Sequence, residues 1–289
     1  MTFGKIRESG RLTDGQASLR QQFFERYNES VSRYKYQDFD KLQYLSKGKL
    51  FISDPGNFND PFDLRLTLHD DLSTAGFSEP ALQRAFMAAI EEWPYIAEHW
   101  FYDAETFEAL IYWTRGRRPL IYVEQAIEAR FKKFGVACFS TELNQPLMWS
   151  HYGASHKGIC VQYFVRPMML AAESKLLQYP VSYTSRLPPI SLTEVLFAPR
   201  NVGQRMLATK SIDWAYEKEW RLIHPATKGE SVDMPNGIEV ASIIVGLSAD
   251  AGDRAKAFAK GNELQIPVFQ VDRDYGGYDF LLDVTWPSV

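Results

Sequence analysis

The chain has 289 residues, 45% of them hydrophobic and 24% charged, and a formal net charge of −4 at pH 7. These fractions are typical of soluble globular proteins and exclude a long disordered or fibrous chain, and the acidic balance gives no strong nucleic-acid signal. No run of about 18 apolar residues predicts a membrane helix, and the polar opening lacks the apolar run of a secretory signal. We therefore expect a cytoplasmic protein without a membrane partner.

The first half of the chain predicts a helix, two strands and a helical block. Apolar residues recur every four positions over 16–31, which predicts an N-terminal helix. Short β-like runs at 33–36 and 49–53 are separated by turn residues. Helical spacing then returns over 79–134, with a break at 116–119, and we interpret this block as an insertion.

Beyond residue 135 the pattern changes to short apolar runs rich in β-forming residues. A helix is predicted after Ser248, which would cap it, and another before Trp214. Because most neighbouring strands have no helix between them, we predict a single α+β domain over 1–289 with a mixed or antiparallel β core. The predicted strands are 136–140, 158–165, 176–183, 219–224, 240–246, 267–272 and 278–284.

The most unusual local pattern is Glu217-Lys218-Glu219, at the start of a predicted strand. Residues i and i+2 of a strand point to the same face, so Glu217 and Glu219 would lie side by side. Two carboxylates on one face repel unless a substrate, a cation or an arginine lies between them. The pattern predicts a functional site at these two carboxylates. The alternative is a solvated strand edge on which Lys218 and Arg221 balance the charge.

A second candidate group follows the β-run that ends at Ser140 and Thr141. Trp149, His151 and Tyr152 come next, before the strand that begins near residue 158. A position between two strands suits residues that line a cleft. We therefore expect at least one of these three side chains to be partly exposed in a concave pocket.

The segment 57–63 holds Asn59, Asp60 and Asp63 around Pro61. Asx-rich turns before proline usually bond to their own backbone. We predict a rigid loop in which Asn59 and Asp60 accept or donate hydrogen bonds locally and Pro61 fixes the turn.

Histidine and cysteine spacing does not indicate a metal centre. His151 and His156 are five residues apart with Cys160 four further on, so the i, i+4 spacing of a helical histidine pair is missing. Cys138 and Cys160 lie in apolar runs, where a thiol usually packs as a small hydrophobe. We predict no metal site from these residues.

Four blocks, in this order, resemble the bacterial family catalogued as domain of unknown function 2971. The resemblance spans about residues 34–284 and implies no activity. It makes Asn59, His151 and His156 candidate site residues. The blocks are Tyr34-Lys35-Tyr36, Phe58-Asn59-Asp60-Pro61-Phe62-Asp63, Leu147-Met148-Trp149-Ser150-His151-Tyr152 with His156-Lys157-Gly158, and Tyr216-Glu217-Lys218-Glu219-Trp220-Arg221.

The chain also resembles the R-S-E class of ADP-ribosyltransferases, whose motif is an arginine, a Ser-Thr-Ser and an E-x-E on three core strands. Lys35 stands at the arginine position, Ser140-Thr141 is similar to the hydroxyl motif, and Glu217-Lys218-Glu219 to the E-x-E. The order agrees, and that fold also carries a helical region between its first two motifs.

The second resemblance implies NAD as substrate and assigns roles at the site. Glu219 would hold the ribose hydroxyl and stabilise an oxocarbenium-like state, while Glu217 would orient or deprotonate the acceptor. The NAD-binding residues it implies, with those of the first resemblance, are Lys35, Tyr36, Asn59, Ser140, Thr141, Trp149, His151 and Tyr152.

Three functions follow as hypotheses. The first is an NAD-dependent ADP-ribosyltransferase or NAD glycohydrolase, a toxin or phage-defence effector with a macromolecular or small-molecule acceptor. The second is a noncatalytic ligand- or protein-binding module, for which the 14% aromatic content with seven tryptophans speaks. The third is a metal-dependent nuclease or hydrolase that uses Asp60, Asp63, Glu217 and Glu219. Convergence of Lys35 and Ser140 with the two glutamates would favour the first, and Asp60 and Asp63 within metal-bridging distance of the glutamates would favour the third.

Overall fold

Strands and short helices follow one another along the chain in the computed structural model, which describes residues 6–8, 10–72, 78–92, 104–173, 176–277 and 279–288. The strands are β1 (Ile6–Glu8), β2 (Val31–Gln37), β3 (Lys49–Ile52), β4 (Thr67–His69), β5 (Gly135–Ser140), β6 (Ile159–Val165), β7 (Leu177–Pro180), β8 (Ser182–Thr184), β9 (Pro189–Ser191), β10 (Thr209–Ser211), β11 (Glu219–His224), β12 (Glu230–Asp233), β13 (Ile238–Val245), β14 (Val268–Arg273) and β15 (Phe280–Thr285). The α-helices are α1 (Asp14–Glu29), α2 (Glu79–Glu92), α3 (Ala104–Thr114), α4 (Ile121–Phe131), α5 (Pro146–Tyr152), α6 (Pro167–Glu173), α7 (Leu192–Phe197), α8 (Pro199–Leu207) and α9 (Ala251–Leu264).

The largest sheet in the described part of the chain has nine strands, in the order β1-β15-β14-β13-β6-β2-β5-β11-β7. Its strands from β13 to β7 pair antiparallel, whereas β13 with β14 and β1 with β15 pair parallel. The sheet is therefore mixed, which confirms the predicted α+β class.

Three strands that are distant in sequence lie side by side at the centre of one half of this sheet. Tyr34 of β2 pairs with Ser140 of β5, and Ser140 pairs with Glu219 of β11. Residues directly opposite one another on neighbouring strands point to the same face. One row across the sheet therefore brings Tyr34, Ser140 and Glu219 together.

Strand alternation sends side chains of β5 and β11 into two different cores. Val136 and Ile223 pack in the cluster that contains the apolar residues of α4, α7 and α8. Ala137 and Leu222 pack on the opposite face, in the cluster that contains Ala257 of α9. Because the side-chain period of a strand is two, Glu219 and Arg221 share the first face with Ile223.

Several predicted boundaries shift for local reasons. The first helix begins after Thr13, whose side chain forms a capping box with Gln16, and Val31 opens β2 instead of ending the helix. Asp250, and not Ser248, caps α9. The run 176–183 divides into β7 and β8 after Pro180, which lacks the N–H that a continuing ladder needs.

The predicted helical block corresponds to α2, α3 and α4, which lie between β4 and β5 in the chain. The break predicted at 116–119 separates α3 from α4. Residues 93–103 of the block, and Tyr278 at the start of the last predicted strand, lie outside the described residues.

Candidate functional site

A cavity of about 260 Å³ lies between β2, β5 and β11, the segment 53–63 and helix α5. Its volume is close to the lower end of the range of roughly 300–1,000 Å³ that small-molecule sites occupy. The lining residues with polar side chains are Tyr34, Lys35, Tyr36, Ser53, Asn57, Asn59, Asp60, Asp63, Cys138, Ser140, Tyr152, Lys210, Glu217 and Glu219.

Glu217 and Glu219 meet at this cavity through a tight turn. The sequence prediction of two residues on one strand face is wrong, because Glu217 ends a 3-10 helix (Ile212–Glu217) and only Glu219 belongs to β11. Lys218 between them has φ 46° and ψ 50°, a left-handed conformation that costs a non-glycine residue free energy. Such strain concentrates at functional sites, where the surrounding structure holds it.

Lys210 of β10 lies between the two carboxylates. Its Nζ is 2.5 Å from Oε2 of Glu217 and 3.4 Å from Oε2 of Glu219. All three side chains are less than a tenth exposed. The ammonium group therefore offsets the repulsion that two neighbouring carboxylates would otherwise suffer.

Arg221 binds Glu219 from the other side and joins it to Asp63. Its Nε and Nη2 donate to Oε1 and Oε2 of Glu219 at 2.8 and 3.1 Å, and its Nη1 and Nη2 donate to the Asp63 carboxylate at 2.8 and 2.6 Å. The guanidinium is fully buried, and Leu207 accepts a further hydrogen bond through its carbonyl at 3.0 Å. Asp63 and Glu219 are thus held in fixed positions by one planar fork.

These contacts push the pKa values of the two glutamates in opposite directions. Burial acts to raise the pKa of Glu219, but the charges of Arg221 and Lys210 prevail and hold it at about 2. Burial raises the pKa of Glu217 above its ordinary value, although Lys210 opposes this. Glu219 is consequently an anion at neutral pH, and Glu217 is the carboxylate that holds a proton more readily than an ordinary glutamate.

Helix α5 contributes Met148 and Tyr152, which are four residues apart and so lie on one helix face. The Tyr152 hydroxyl donates to Oε1 of Glu217 at 2.6 Å. Trp149, one of the predicted NAD-binding residues, is fully buried in the core, and its ring packs edge-on against that of Tyr36 with 5.1 Å between the ring centres. His151 is exposed and bonds the Tyr216 hydroxyl at 2.7 Å. Among the three predicted residues of this helix, Tyr152 alone lines the cavity, because neighbouring helix positions point in different directions.

Lys35 reaches the wall of the cavity, but its side chain points to the other face of the sheet. Tyr34 and Tyr36 flank it on β2 and pack with Cys160, whereas Lys35 lies opposite Val161 of the second core. Its Nζ lies 5.4 Å from the centre of the Phe139 ring. Strand alternation therefore places the ammonium group on the face opposite Glu219, and the contact between Lys35 and NAD stays a prediction.

The hydroxyl motif is engaged in its own turn. Ser140 Oγ donates to the Glu142 carbonyl at 3.0 Å and accepts from the Glu142 amide at 3.1 Å, while it also lines the cavity. Thr141 lies outside the lining, and its amide donates to the Lys218 carbonyl at 2.9 Å. Thr141 therefore supports the turn between the glutamates.

The loop 57–63 is both structural and part of the cavity. Oδ1 of Asp60 accepts from the Phe62 amide at 2.9 Å, as predicted for a self-bonded turn. Asn59 is exposed and lies among the lining residues. Sequence reasoning missed the pairing of Asp63 with Arg221, although a lone arginine in a buried β-run indicates a distant carboxylate. Lys210 carries no local signal that could have identified it.

Three of the four carboxylates named for a metal-dependent hydrolase, those of Asp63, Glu217 and Glu219, are paired with cationic side chains. Arg221 lies between Asp63 and Glu219. Within the described ranges no three His, Cys, Asp or Glu residues are arranged to hold a metal ion. His156 is 3.2 Å from Ser150 Oγ and stacks near Trp149, outside the cavity lining. The described helices are all too short or too polar to cross a membrane.

Comparison with known proteins gives one finding. Residues 148–222 match the model of the family described as a protein of unknown function, DUF2971. No curated protein and no solved structure matches the chain. The matched segment contains Tyr152, Lys210, Glu217, Glu219 and Arg221, so it covers two of the four carboxylates of the cavity and supports the resemblance to that family.

Proposed function

We propose that the protein cleaves the bond between nicotinamide and ribose in NAD and passes the ADP-ribosyl group to water or to an acceptor. The observation that carries this proposal is the pair of glutamates at one cavity, one held ionised and the other with a raised pKa. Carboxylates whose environments separate their pKa values are typical of sites that combine charge stabilisation with proton transfer.

The charge of the cavity supports a cationic ligand. The carboxylates of Asp60, Asp63, Glu217 and Glu219 line it among the described residues. Lys210, Lys35 and the buried Arg221 supply three positive charges to this group, so four carboxylates against three cations leave a formal charge of −1. The nicotinamide ring of NAD is a pyridinium cation, and a surplus of negative charge favours its entry.

The proposed step begins at the bond between ribose C1′ and the nicotinamide nitrogen. When this bond breaks, its electron pair stays on nitrogen and nicotinamide leaves as a neutral molecule. The positive charge moves to the ribose, where the Glu219 anion stabilises it. Water or an acceptor hydroxyl then bonds to C1′, and its proton goes to Glu217, whose raised pKa makes it a stronger base.

The size and walls of the cavity suit the nicotinamide end of the dinucleotide. A volume of about 260 Å³ holds the ring and its ribose, and the adenosine part would extend outside. Aromatic side chains of Tyr34, Phe58 and Tyr152 line the cavity, and aromatic walls favour a flat ring.

The test is nicotinamide release from NAD by the purified protein, with and without candidate acceptors. Glu219→Gln should abolish both hydrolysis and transfer, because the neutral amide cannot stabilise the oxocarbenium ion. Glu217→Gln should lower transfer while slow hydrolysis persists, since water can still attack the activated ribose. Glu230→Gln, which removes an exposed carboxylate on β12, is the control and should release nicotinamide at the wild-type rate.

Two outcomes would reject the proposal. NAD binding without nicotinamide release would favour the noncatalytic binding module. A protein that neither binds NAD nor releases nicotinamide would remove the dinucleotide from consideration altogether.

A further inference from the structure

Asp60 presents a carboxylate oxygen that has no partner. The residue is 7% exposed and lines the cavity. Its Oδ1 is used by the Phe62 amide, whereas Oδ2 is buried and no donor in the described part of the chain reaches it. A buried, unpaired carboxylate oxygen costs free energy that a hydrogen-bond donor would recover. The other three carboxylates of the cavity have a donor at each oxygen, so Oδ2 of Asp60 is the carboxylate oxygen of the described lining residues that lacks one.

We infer that Asp60 Oδ2 accepts a hydrogen bond from the NH₂ group of a primary carboxamide carried on a flat aromatic ring. The aromatic rings that line the cavity suit the ring, and a neutral amide donor pairs with Oδ2 without requiring a second buried charge. The inference rests on the proposed function in that nicotinamide carries this group, and it assigns the carboxamide end of the ligand to the 57–63 loop.

The local turn makes Asp60→Asn a sharp test. Asn can keep the Asx turn, since its carbonyl oxygen accepts from the Phe62 amide as Oδ1 does. The amide nitrogen then occupies the place of Oδ2 and donates instead of accepting. The variant should therefore reverse the preference of the subsite, from a donor group on the ligand to an acceptor group.

Asp54→Asn is a matched control. Asp54 lies in the preceding turn of the same segment, and its Oδ1 accepts from the Gly56 amide at 2.8 Å, so the chemical change and the turn type are alike. Asp54 does not line the cavity. Its substitution should leave ligand preference unchanged.

The experiment titrates the full chain with benzamide, benzoate and benzylamine by calorimetry, for the wild type and both variants. The wild type should bind benzamide more tightly than the other two, because benzoate would place two carboxylates together and the ammonium of benzylamine, unlike a delocalised pyridinium, would have to lose its strongly bound water. Asp60→Asn should weaken the binding of benzamide by roughly 10- to 150-fold and strengthen the binding of benzoate. Asp54→Asn should change neither affinity.

An Asp60→Asn protein with wild-type preference would overturn the inference. A wild type that prefers benzoate or benzylamine, or that binds none of the three, would also overturn it. This result does not depend on the folding of any variant. Nicotinamide release from NAD, measured in parallel, separates this inference from the proposed function. Nicotinamide release without a change of ligand preference in Asp60→Asn rejects the carboxamide subsite alone. A change of ligand preference without nicotinamide release rejects the cleavage of NAD alone.

Discussion

Arg221 and Arg7 each bond two carboxylates, but they do so in opposite surroundings. Arg221 is fully buried between Asp63 and Glu219 at the wall of the cavity. Arg7 lies on the edge strand β1, pairs with Asp283 of the adjacent β15 and Asp272 of β14 beyond it, and its side chain is 48% exposed. The chemical groups are the same, so the difference between the two regions comes from the solvent around them.

Exposure to solvent determines how strongly each arginine stabilises its carboxylate partners. Water can replace the contacts of an exposed ion pair, and such pairs contribute little to stability. A buried charge has lost its water and depends on its partners, so removing one partner is costly. The buried group therefore fixes both the position and the ionisation of Glu219, which the exposed group cannot do for its carboxylates to the same degree.

The largest effect should come from breaking the buried group. Arg221→Met should lower the free energy of unfolding by about 3–5 kcal/mol, because it leaves Asp63 and Glu219 buried without their cation. Arg7→Met should produce a much smaller change in urea denaturation, since water solvates its two partners. Similar losses for the two variants would show that burial does not set the strength of these contacts.

A smaller effect is expected for Glu219→Gln, and it should depend on pH. The variant keeps the shape but loses charge-assisted hydrogen bonds, for a cost of about 1.5–3 kcal/mol at pH 7. The folded-state pKa of Glu219 is lowered from 4.5 to about 2, so its stabilisation is complete above pH 4.5 and is lost as pH falls toward 2. Urea denaturation of both proteins between pH 7 and pH 3 should show the stability gap closing. A gap that widens on acidification would refute the assignment.

The smallest effect on stability should come from Tyr152→Phe, about 1 kcal/mol for one lost hydrogen bond. Its effect on pH dependence is more informative. The hydroxyl bond lowers the pKa of Glu217, so removing it should raise that pKa and move the rise of nicotinamide release to higher pH. Tyr216→Phe removes a hydroxyl bonded to His151 and serves as the control, with no shift expected. A shift of equal size in both variants would show that the hydrogen bond from Tyr152 to Glu217 does not set the pH dependence of nicotinamide release.

Strand periodicity predicts much of the sheet, but it fails at Glu217, which does not belong to a strand. The β-runs of β5, β6 and β11 appear within a residue or two of their predicted positions. Glu217 was predicted to alternate with Glu219 on one strand, whereas a left-handed Lys218 brings the two together. The same alternation, applied to β2, would have shown that Lys35 and Tyr34 face opposite sides.

Local sequence thus determined the α+β class, the strand positions and the prominence of the two glutamates, because these depend on residues a few positions apart. Tertiary structure alone decided which cations meet those carboxylates. Arg221 and Asp63 are 158 residues apart in the chain, and nothing in either neighbourhood specifies that they touch. The pKa of a carboxylate depends on burial and on nearby charge, so the chemistry of Glu217 and Glu219 was fixed only when the fold brought Lys210, Arg221 and Asp63 to one cavity.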